Sequence, residues 1–375
     1  MSNGDGICRN HVSYPILHLH LDAFTLKVWQ GVLSLLICLI VVACGGRSPQ
    51  VSPEATSSAG AKDCRMIVHE LGESEVCGQP EKVVALSLHS LDLMLSLEQQ
   101  PAGLVSLVPT TEKMIENPSE LFPYVGDLIT TQPVNLGGAM SAPSLEVMTE
   151  LKPDLIITES GNVKDVYDLL SQLAPTIALK NRSQPGNWQD NLRMVALGLG
   201  DESRADQKIA EVEAAIATLK TDLAAQVAEH PKLLILAGEN LDQGFGVITA
   251  DSFLGEILTE LGFELIAPEG TTNSVAISIE ALPELDGADS ILVLGYSREA
   301  ITGSQESSDP DNLIQDQFAG IKQIWADNDI AQSLSATQAD RVYFSTYYEW
   351  NIFNGPIGVD LIDQQLRQLF LGVEL

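Results

Sequence analysis

The sequence predicts an α/β protein of two Rossmann-like lobes, each with a central, largely parallel sheet, joined by one long helix. Two observations favour this fold class. Short apolar runs alternate with helix-like apolar patterns in two separate series, and a single long helical pattern, Asp201–Glu229, lies between them. The length of 375 residues agrees, because about 100–200 residues make one domain.

The N-terminal segment has the pattern of an exported lipoprotein. Gly31–Ala43 is an apolar run shorter than the roughly 20 residues of a membrane-spanning helix, and it has the length of a signal-peptide core. Small residues then precede Cys44, as in the bacterial lipobox, which implies cleavage there and attachment of lipid. An uncleaved apolar terminus is the alternative, and a later translation start is also considered. We predict a signal peptide over 1–43 and a lipidated, flexible tether over 44–63.

The other cysteines are consistent with export. Cys8 and Cys38 would leave with the signal peptide, so that Cys64 and Cys77 remain as a pair. A disulfide between them is expected in an oxidising compartment. Two free, buried thiols are the alternative.

Composition and motifs exclude several classes of function. The chain has 51 acidic and 20 basic residues, a net charge of −31, and no cluster of Lys and Arg, so we do not expect nucleic-acid binding. It has no zinc-type spacing of His or Cys, no P-loop, no G-x-S-x-G elbow and no G-x-G-x-x-G fingerprint. We therefore predict a protein that is not an enzyme and has no catalytic residues, bound metal ion or cofactor.

The first series of elements predicts an N-terminal lobe over 64–187. An apolar strand that begins at Val83 leads through a polar turn into a helix that ends at Leu97. The later elements, in order, are strands within Pro101–Leu107 and over Leu155–Thr158, a helix over Val166–Leu173 and a strand over Pro175–Leu179. Strands that alternate with helices are typical of a parallel sheet.

A helical connector over 188–230 and a C-terminal lobe over 231–375 complete the chain. The long helix has one apolar stripe with a spacing of three or four residues, made by Ile209, Val212, Ile216, Leu219 and Leu223. The sequence His230-Pro231 ends it. The second lobe is predicted to contain strands over Leu233–Ala237, Ile291–Leu294 and Val342–Ser345, with helices over Ser252–Leu261, from Ile279 and over Gly355–Leu371.

Four segments resemble one family, the substrate-binding proteins of ABC importers for iron–siderophores, haem and cobalamin. In order, they are Pro80–Leu86 with Leu91-Asp92-Leu93, Pro143–Glu146 running into Leu151–Ile157, Ser278–Leu282 before Asp289, and the closing helix after Tyr347–Trp350. The segment His69–Glu73 is most similar to the iron-complex members. This resemblance implies the class III periplasmic binding protein fold, in which one rigid helix joins the lobes.

The resemblance implies a docking role for two glutamates. In this family a Glu at the exposed tip of each lobe meets Arg residues of the permease, and the matching residues here are Glu146 and Glu280. The alternative is a Glu in the first turn of a helix that interacts only with its own helix dipole.

The resemblance also implies a ligand site in a cleft between the lobes, lined by loops at the strand ends. The candidate ligand-binding residues in these loops are Ser87, His89, Met140, Ser141, Glu159, Asn162, Asn273, Arg298, Tyr347, Tyr348 and Trp350. We expect Arg298 to bind anionic oxygens and the aromatic rings to stack on the ligand. The alternatives are a surface ion pair of Arg298 with Glu299, lobe packing of the aromatic residues and a backbone hydrogen bond of His89. Hydroxamate-binding members carry an Arg before the Pro-Ser-Leu-Glu segment, and its absence here argues against a hydroxamate ligand.

The implied function is capture of a ferric siderophore and its delivery to an ABC permease with its ATPase. We expect a monomer in the periplasm, anchored to the membrane as a lipoprotein, with modest lobe closure because a helical connection resists hinge motion. Haem or cobalamin as the ligand is the first alternative, with His89 as an axial ligand of haem. A periplasmic sensor or structural lipoprotein without an importer is the second.

Overall fold

The computed structural model describes residues 63–105, 124–137, 142–239, 244–271, 274–296 and 320–373. Several predicted features lie outside these ranges: the signal peptide, the lipidation site Cys44, and the candidate ligand-binding residues Met140, Ser141, Asn273 and Arg298. Within the described ranges, no helix combines the length and the apolar character that crossing a bilayer requires.

A disulfide-closed hairpin precedes the first sheet. Its strands β1 (Cys64–His69) and β2 (Gly72–Cys77) pair antiparallel and place Cys64 opposite Cys77. The structure joins the two sulfurs in a disulfide, as expected from the sequence. The Arg65 side chain donates to the carbonyl of Gly198 at 3.1 Å, and the Ser74 hydroxyl donates to the carbonyl of Thr176 at 2.9 Å. These bonds fix the hairpin to the protein body.

The first sheet is parallel, with the strand order β5-β4-β3-β6-β7. Its strands are β3 (Val83–Ala85), β4 (Gly103–Leu104), β5 (Val134–Asn135), β6 (Leu155–Glu159) and β7 (Thr176–Leu179). The described helices of this region are α1 (Leu88–Ser96), α2 (Leu145–Leu151), α3 (Ser160–Val163) and α4 (Tyr167–Leu173), with a 3-10 turn at Gly126–Leu128. Successive residues of β3 and β7 are all buried, which is typical of a parallel sheet covered on both faces.

The second sheet has the order β11-β9-β8-β12-β13, with β10 also paired to β8. Its strands are β8 (Lys232–Gly238), β9 (Phe245–Ile248), β10 (Glu264–Leu265), β11 (Ser274–Ile277), β12 (Ser290–Gly295) and β13 (Val342–Thr346). Strands β8, β10, β12 and β13 run parallel, whereas β9 and β11 form an antiparallel edge that the sequence analysis missed. Its helices are α7 (Phe253–Leu261), α8 (Asp329–Ser333), α9 (Ser335–Gln338), α10 (Tyr347–Asn351) and α11 (Pro356–Leu366), with a 3-10 helix at Ile279–Leu285 and a π-helical end at Arg367–Leu371.

Two helices separate the sheets along the chain, α5 (Asn187–Leu199) and the 28-residue α6 (Glu202–Glu229). All five residues of the predicted apolar stripe of α6 are buried. This helix packs on α5, α7 and α11, so it contacts elements that flank both sheets. The boundaries proposed for the lobes, 64–187 and 231–375, stay predictions.

The last helix returns to the first part of the chain, because α11 packs on α1 as well as on α6. The Asp92 carboxylate on α1 accepts hydrogen bonds from the backbone N–H groups of Ile357 at 3.0 Å and Gly358 at 3.2 Å. A Cβ at Gly355 would lie 2.7 Å from an Asp92 oxygen, so only glycine leaves room for this approach. A side chain from the first half therefore caps the closing helix.

Candidate ligand-binding site where the two sheets meet

The carboxyl ends of parallel strands from both sheets meet at one place. In the first sheet, β6 ends at Glu159, and Arg182 follows β7. In the second sheet, Tyr296 follows β12, and Tyr347 follows β13. Ligands of parallel α/β sheets bind beyond the carboxyl ends of the strands, so this place is the candidate site. We call its residues the junction cluster: Glu159, Arg182, Tyr296, Tyr347, Asn351 and Asn354.

Arg182 supplies the positive charge of the junction cluster. Its Nε lies 3.1 Å from Oε2 of Glu159, and its Nη1 donates to the carbonyl of Asn351 at 2.7 Å and to Oδ1 of Asn354. Its remaining nitrogen, Nη2, has no partner among the described residues, and the side chain is 23% exposed. The partly exposed guanidinium is therefore the charged donor that this junction offers to a ligand.

The second sheet contributes amides and aromatic rings. The Asn354 Nδ2 donates to Asn351 Oδ1 at 3.0 Å, and the Asn351 Nδ2 donates to the Tyr347 hydroxyl at 2.6 Å. The rings of Tyr347 and Tyr296 lie 5.9 Å apart. Both rings are partly exposed, so they offer apolar faces beside the guanidinium.

Glu159 and Tyr347 of the junction cluster were candidate residues of the sequence, whereas Arg182, Tyr296, Asn351 and Asn354 were not. The segment Lys180–Ser183 matches no motif, and our candidate loops did not include it. A basic residue within three positions of the end of a predicted strand was the available signal, because that position faces the edge where ligands bind.

His89 does not belong to the site. The side chain is fully buried; its Nδ1 lies 2.7 Å from the carbonyl of Phe353, and its Nε2 lies 3.1 Å from Asn191 Nδ2. The proton therefore sits on Nδ1, because a carbonyl can only accept. Burial lowers the pKa of His89 to about 4, so the ring stays neutral at physiological pH. With both nitrogens engaged inside the protein, His89 is withdrawn as a ligand-binding residue and as an axial ligand of haem.

Ser87 and Trp350 also serve the fold. The Ser87 hydroxyl accepts the N–H of Ser90 at 3.0 Å and so caps α1, with 2% of the residue exposed. The indole of Trp350 is 1% exposed and donates to the Ser345 hydroxyl at 2.9 Å. Because both side chains are buried and bonded inside the protein, neither is kept as a ligand-binding candidate.

Tyr348 and Asn162 lie near the site without joining its hydrogen bonds. The Tyr348 ring packs on Phe353 at 5.8 Å and on Tyr124 at 6.0 Å, and burial raises the pKa of its hydroxyl. Asn162 is half-buried on α3, which begins directly after Glu159. Both residues stay predictions.

Glu146 and Glu280 are both exposed, and each lies in the first turn of a helix. A hydrogen bond from the Ser278 side chain lowers the pKa of Glu280, which favours the charged carboxylate. The two carboxylates are therefore accessible to a partner, and permease docking stays a prediction.

Comparison with known proteins agrees with this architecture. A family model described as Periplasmic binding protein matches residues 83–347. The Fe(3+)-citrate-binding protein YfmC of Bacillus subtilis is 30% identical over 322 residues, which cover 86% of this chain and 90% of that protein. The Fe(3+) dicitrate-binding periplasmic protein FecB of Escherichia coli is 26% identical over 292 residues, which cover 78% of this chain and 85% of that protein.

Solved structures share the fold. SirA of Staphylococcus aureus, solved with staphyloferrin B, has a TM-score of 0.64 at 23% identity and covers 82% of this chain and 99% of its own. FeuA of Bacillus subtilis, solved with ferri-bacillibactin, has a TM-score of 0.61 at 21% identity and covers 82% of this chain and 98% of its own. These likenesses confirm the predicted fold class, and the family is one of binding proteins rather than enzymes. The chain belongs to the periplasmic binding protein family.

Proposed function

We propose that this protein is the substrate-binding component of an ABC importer and binds an anionic, carboxylate-rich ferric chelate at the junction cluster. One observation carries the choice of ligand: Arg182 presents a charged nitrogen without a partner among the described residues, where the two sheets meet. The likeness to the two citrate-binding relatives supports a ferric chelate over haem and cobalamin.

The chemistry of the junction cluster suits such a ligand. A guanidinium binds carboxylate oxygens through charge-assisted hydrogen bonds, and aromatic rings cover the apolar part of a ligand. The chain has a net charge of −31, so an anionic chelate needs a local positive charge at the place where it binds. Arg182 supplies a positively charged donor at that place, although Glu159 balances its charge, and the predicted Arg298 would add a second basic side chain.

The remaining features of the proposal come from the sequence. Lipid on Cys44 would hold the protein at the outer face of the cell membrane, and Glu146 and Glu280 would dock on the permease, which works with an ATPase. The protein would act as a monomer and would leave every bond of the chelate intact. Handover of an unchanged ligand requires neither a nucleophile nor a resident cofactor.

Equilibrium titration with ferric citrate, followed by quenching of tryptophan fluorescence, tests the proposal. Arg182→Ala should raise Kd by about 10- to 100-fold, because a hydrogen bond to a charged group contributes about 1.5–3 kcal/mol. The Kd of Arg182→Lys should lie between those of the unchanged protein and Arg182→Ala, because lysine keeps the positive charge and loses the planar guanidinium.

Arg193→Ala is the matched control, because Arg193 on α5 is about half exposed and pairs with Asp206 outside the junction cluster. Its Kd should equal that of the unchanged protein. The same titration is run with haem and cobalamin. Binding of either of these in place of ferric citrate, or equal Kd values for Arg182→Ala and the unchanged protein, would overturn the proposal.

A further inference from the structure

An ion pair and a chain of hydrogen bonds cross the junction between the two sheets. Glu159 pairs with Arg182, and hydrogen bonds then run from Arg182 to Asn354, from Asn354 to Asn351 and from Asn351 to Tyr347. Glu159 ends β6 and Arg182 follows β7 of the first sheet, whereas the other three residues follow β13 of the second. Asn354 is the residue at which the chain passes from one sheet to the other.

The geometry of Asn354 fits this position closely. The residue is 1% exposed, and its backbone has a φ of 57°, the left-handed conformation that asparagine tolerates better than most side chains. Its carboxamide accepts from Arg182 through Oδ1 and donates to Asn351 through Nδ2. A carboxamide offers an acceptor and a donor on one planar group, which the chain of hydrogen bonds needs at this point.

The neutrality of Asn354 decides the charge of the site. The Glu159 carboxylate already pairs with Arg182, so the two residues together carry no net charge. A carboxylate in place of the Asn354 carboxamide, as acceptor of Arg182 Nη1, would give the cluster a net charge of −1. That charge would repel an anionic ligand at short range. A neutral acceptor at the same place holds the guanidinium without adding a negative charge to this pair.

We infer that Asn354 is the positioning residue that sets the charge selectivity of the site, by holding Arg182 across the junction with a neutral acceptor. This inference rests on the proposed function, because it assumes that Arg182 meets an anionic chelate. Asn354 acts through Arg182 and need not touch the ligand. Its effect on affinity therefore depends on the presence of Arg182.

A double-mutant cycle with ferric citrate tests this dependence. Asn354→Gly keeps the left-handed backbone accessible and removes the carboxamide. It should raise Kd by about 5- to 20-fold, less than Arg182→Ala, because the guanidinium stays and loses only one of its acceptors. Asn354→Asp should raise Kd further, because it adds a negative charge beside Arg182. In the Arg182→Ala background, Asn354→Gly should change Kd less than 2-fold.

Two controls separate this role from a general loss of stability. Asp340→Gly removes the side chain of another left-handed residue, which is exposed and lies outside the junction cluster. Asn328→Asp adds the same charge on a residue that caps α8, where a carboxylate can still accept the N–H of Ala331. Both controls should leave Kd unchanged.

The outcomes of the cycle are distinct. If Asn354→Gly weakens binding by the same factor with and without Arg182, the inference is overturned while the proposed function stands. It is also overturned if Asn354→Asp binds ferric citrate as well as the unchanged protein does. Failure of the proposed function has a different signature, since Arg182→Ala alone would then leave Kd unchanged.

Discussion

Asp92 is a single residue whose protonation is linked to the stability of the fold. The carboxylate is fully buried, and burial raises its pKa to about 7 even though Ile357, Gly358 and Ser96 donate hydrogen bonds to it. Between about pH 4 and pH 7 the folded protein therefore keeps a proton that the unfolded chain has released. The contribution of Asp92 to stability is full at low pH and decreases as the pH rises through this interval.

Asp92→Asn should remove this pH dependence. The unfolding free energy of the unchanged protein minus that of Asp92→Asn should fall by on the order of 3–4 kcal/mol from pH 4 to pH 8. Denaturant unfolding at several pH values measures the difference. Asp168→Asn is a control, because that side chain is exposed on α4. A difference that stays constant over this range would contradict the expected pKa of Asp92.

At the scale of residues, the sequence predicted which side chains lie at strand ends better than which of them are exposed. A strand end can be read from an apolar run, so Glu159 and Tyr347 were expected at strand ends, and both stay candidates for the site. The direction of a side chain just after a strand depends on tertiary packing, and for this reason His89 and Trp350 were placed in the site although both are buried. Arg182 was missed because its segment matches no motif, although its place three residues after a predicted strand was a usable signal.

At the scale of elements, the hairpin of β1 and β2 is hydrogen-bonded to strand β7 of the first sheet. Its turn is fixed by the N–H of Glu70, which donates to the carbonyl of Ala178 at 3.1 Å, and by the contact of Ser74 with β7. The disulfide closes a segment with a sequence separation of 13. Since the hairpin is bonded to the body, its cross-link should contribute to the stability of the whole fold.

The double variant Cys64→Ser/Cys77→Ser should lower the free energy of unfolding by about 2–3 kcal/mol, the value expected for closing a loop of this length. Denaturant unfolding measures the loss, and a reductant added to the unchanged protein should reproduce it. If global unfolding stays the same while the hairpin alone becomes accessible to protease, the hairpin folds independently and the expectation is wrong.

Elements with strong apolar patterns were predictable, and elements with mixed patterns were not. Strands β3, β6, β7, β8 and β12 were recognised because burial on both faces leaves apolar runs. The stripe of α6 was recognised by its spacing of three or four residues, and β13 by its short run over 342–344. The strand β2, Gly72–Cys77, was missed because most of its residues are polar or charged. The helix α10, Tyr347–Asn351, was predicted as a loop, because a single turn carries no periodicity.

At the scale of the whole molecule, the net charge of −31 opposes the approach of an anionic chelate. Added salt screens this repulsion, since the Debye length shrinks from about 30 Å at 0.01 M to about 8 Å at 0.15 M. The positive charge of Arg182 acts only at short range, because Glu159 lies beside it. The electrostatic potential far from the protein is therefore negative, whereas the Arg182 side chain that the chelate would contact is positive.

The association rate of ferric citrate should consequently rise several-fold between about 0.01 M and 0.15 M salt. Stopped-flow fluorescence measures this rate, and Arg182→Ala should show the same trend because one charge changes the total little. An association rate that falls with salt would mean that the junction attracts the chelate from a distance, contrary to this expectation.

The capping of α11 by Asp92 bears on the order in which the chain can fold during its synthesis. Asp92 precedes Ile357 by 265 residues, and His89 precedes its partner Phe353 by 264. Until the ribosome has made those late residues, the Asp92 carboxylate has only one of its three donors, Ser96, and Nδ1 of His89 lacks its acceptor. A polypeptide that terminates before residue 356 would thus lose the contact of its earliest helix with α11, while that helix keeps its contacts with α5 and β6.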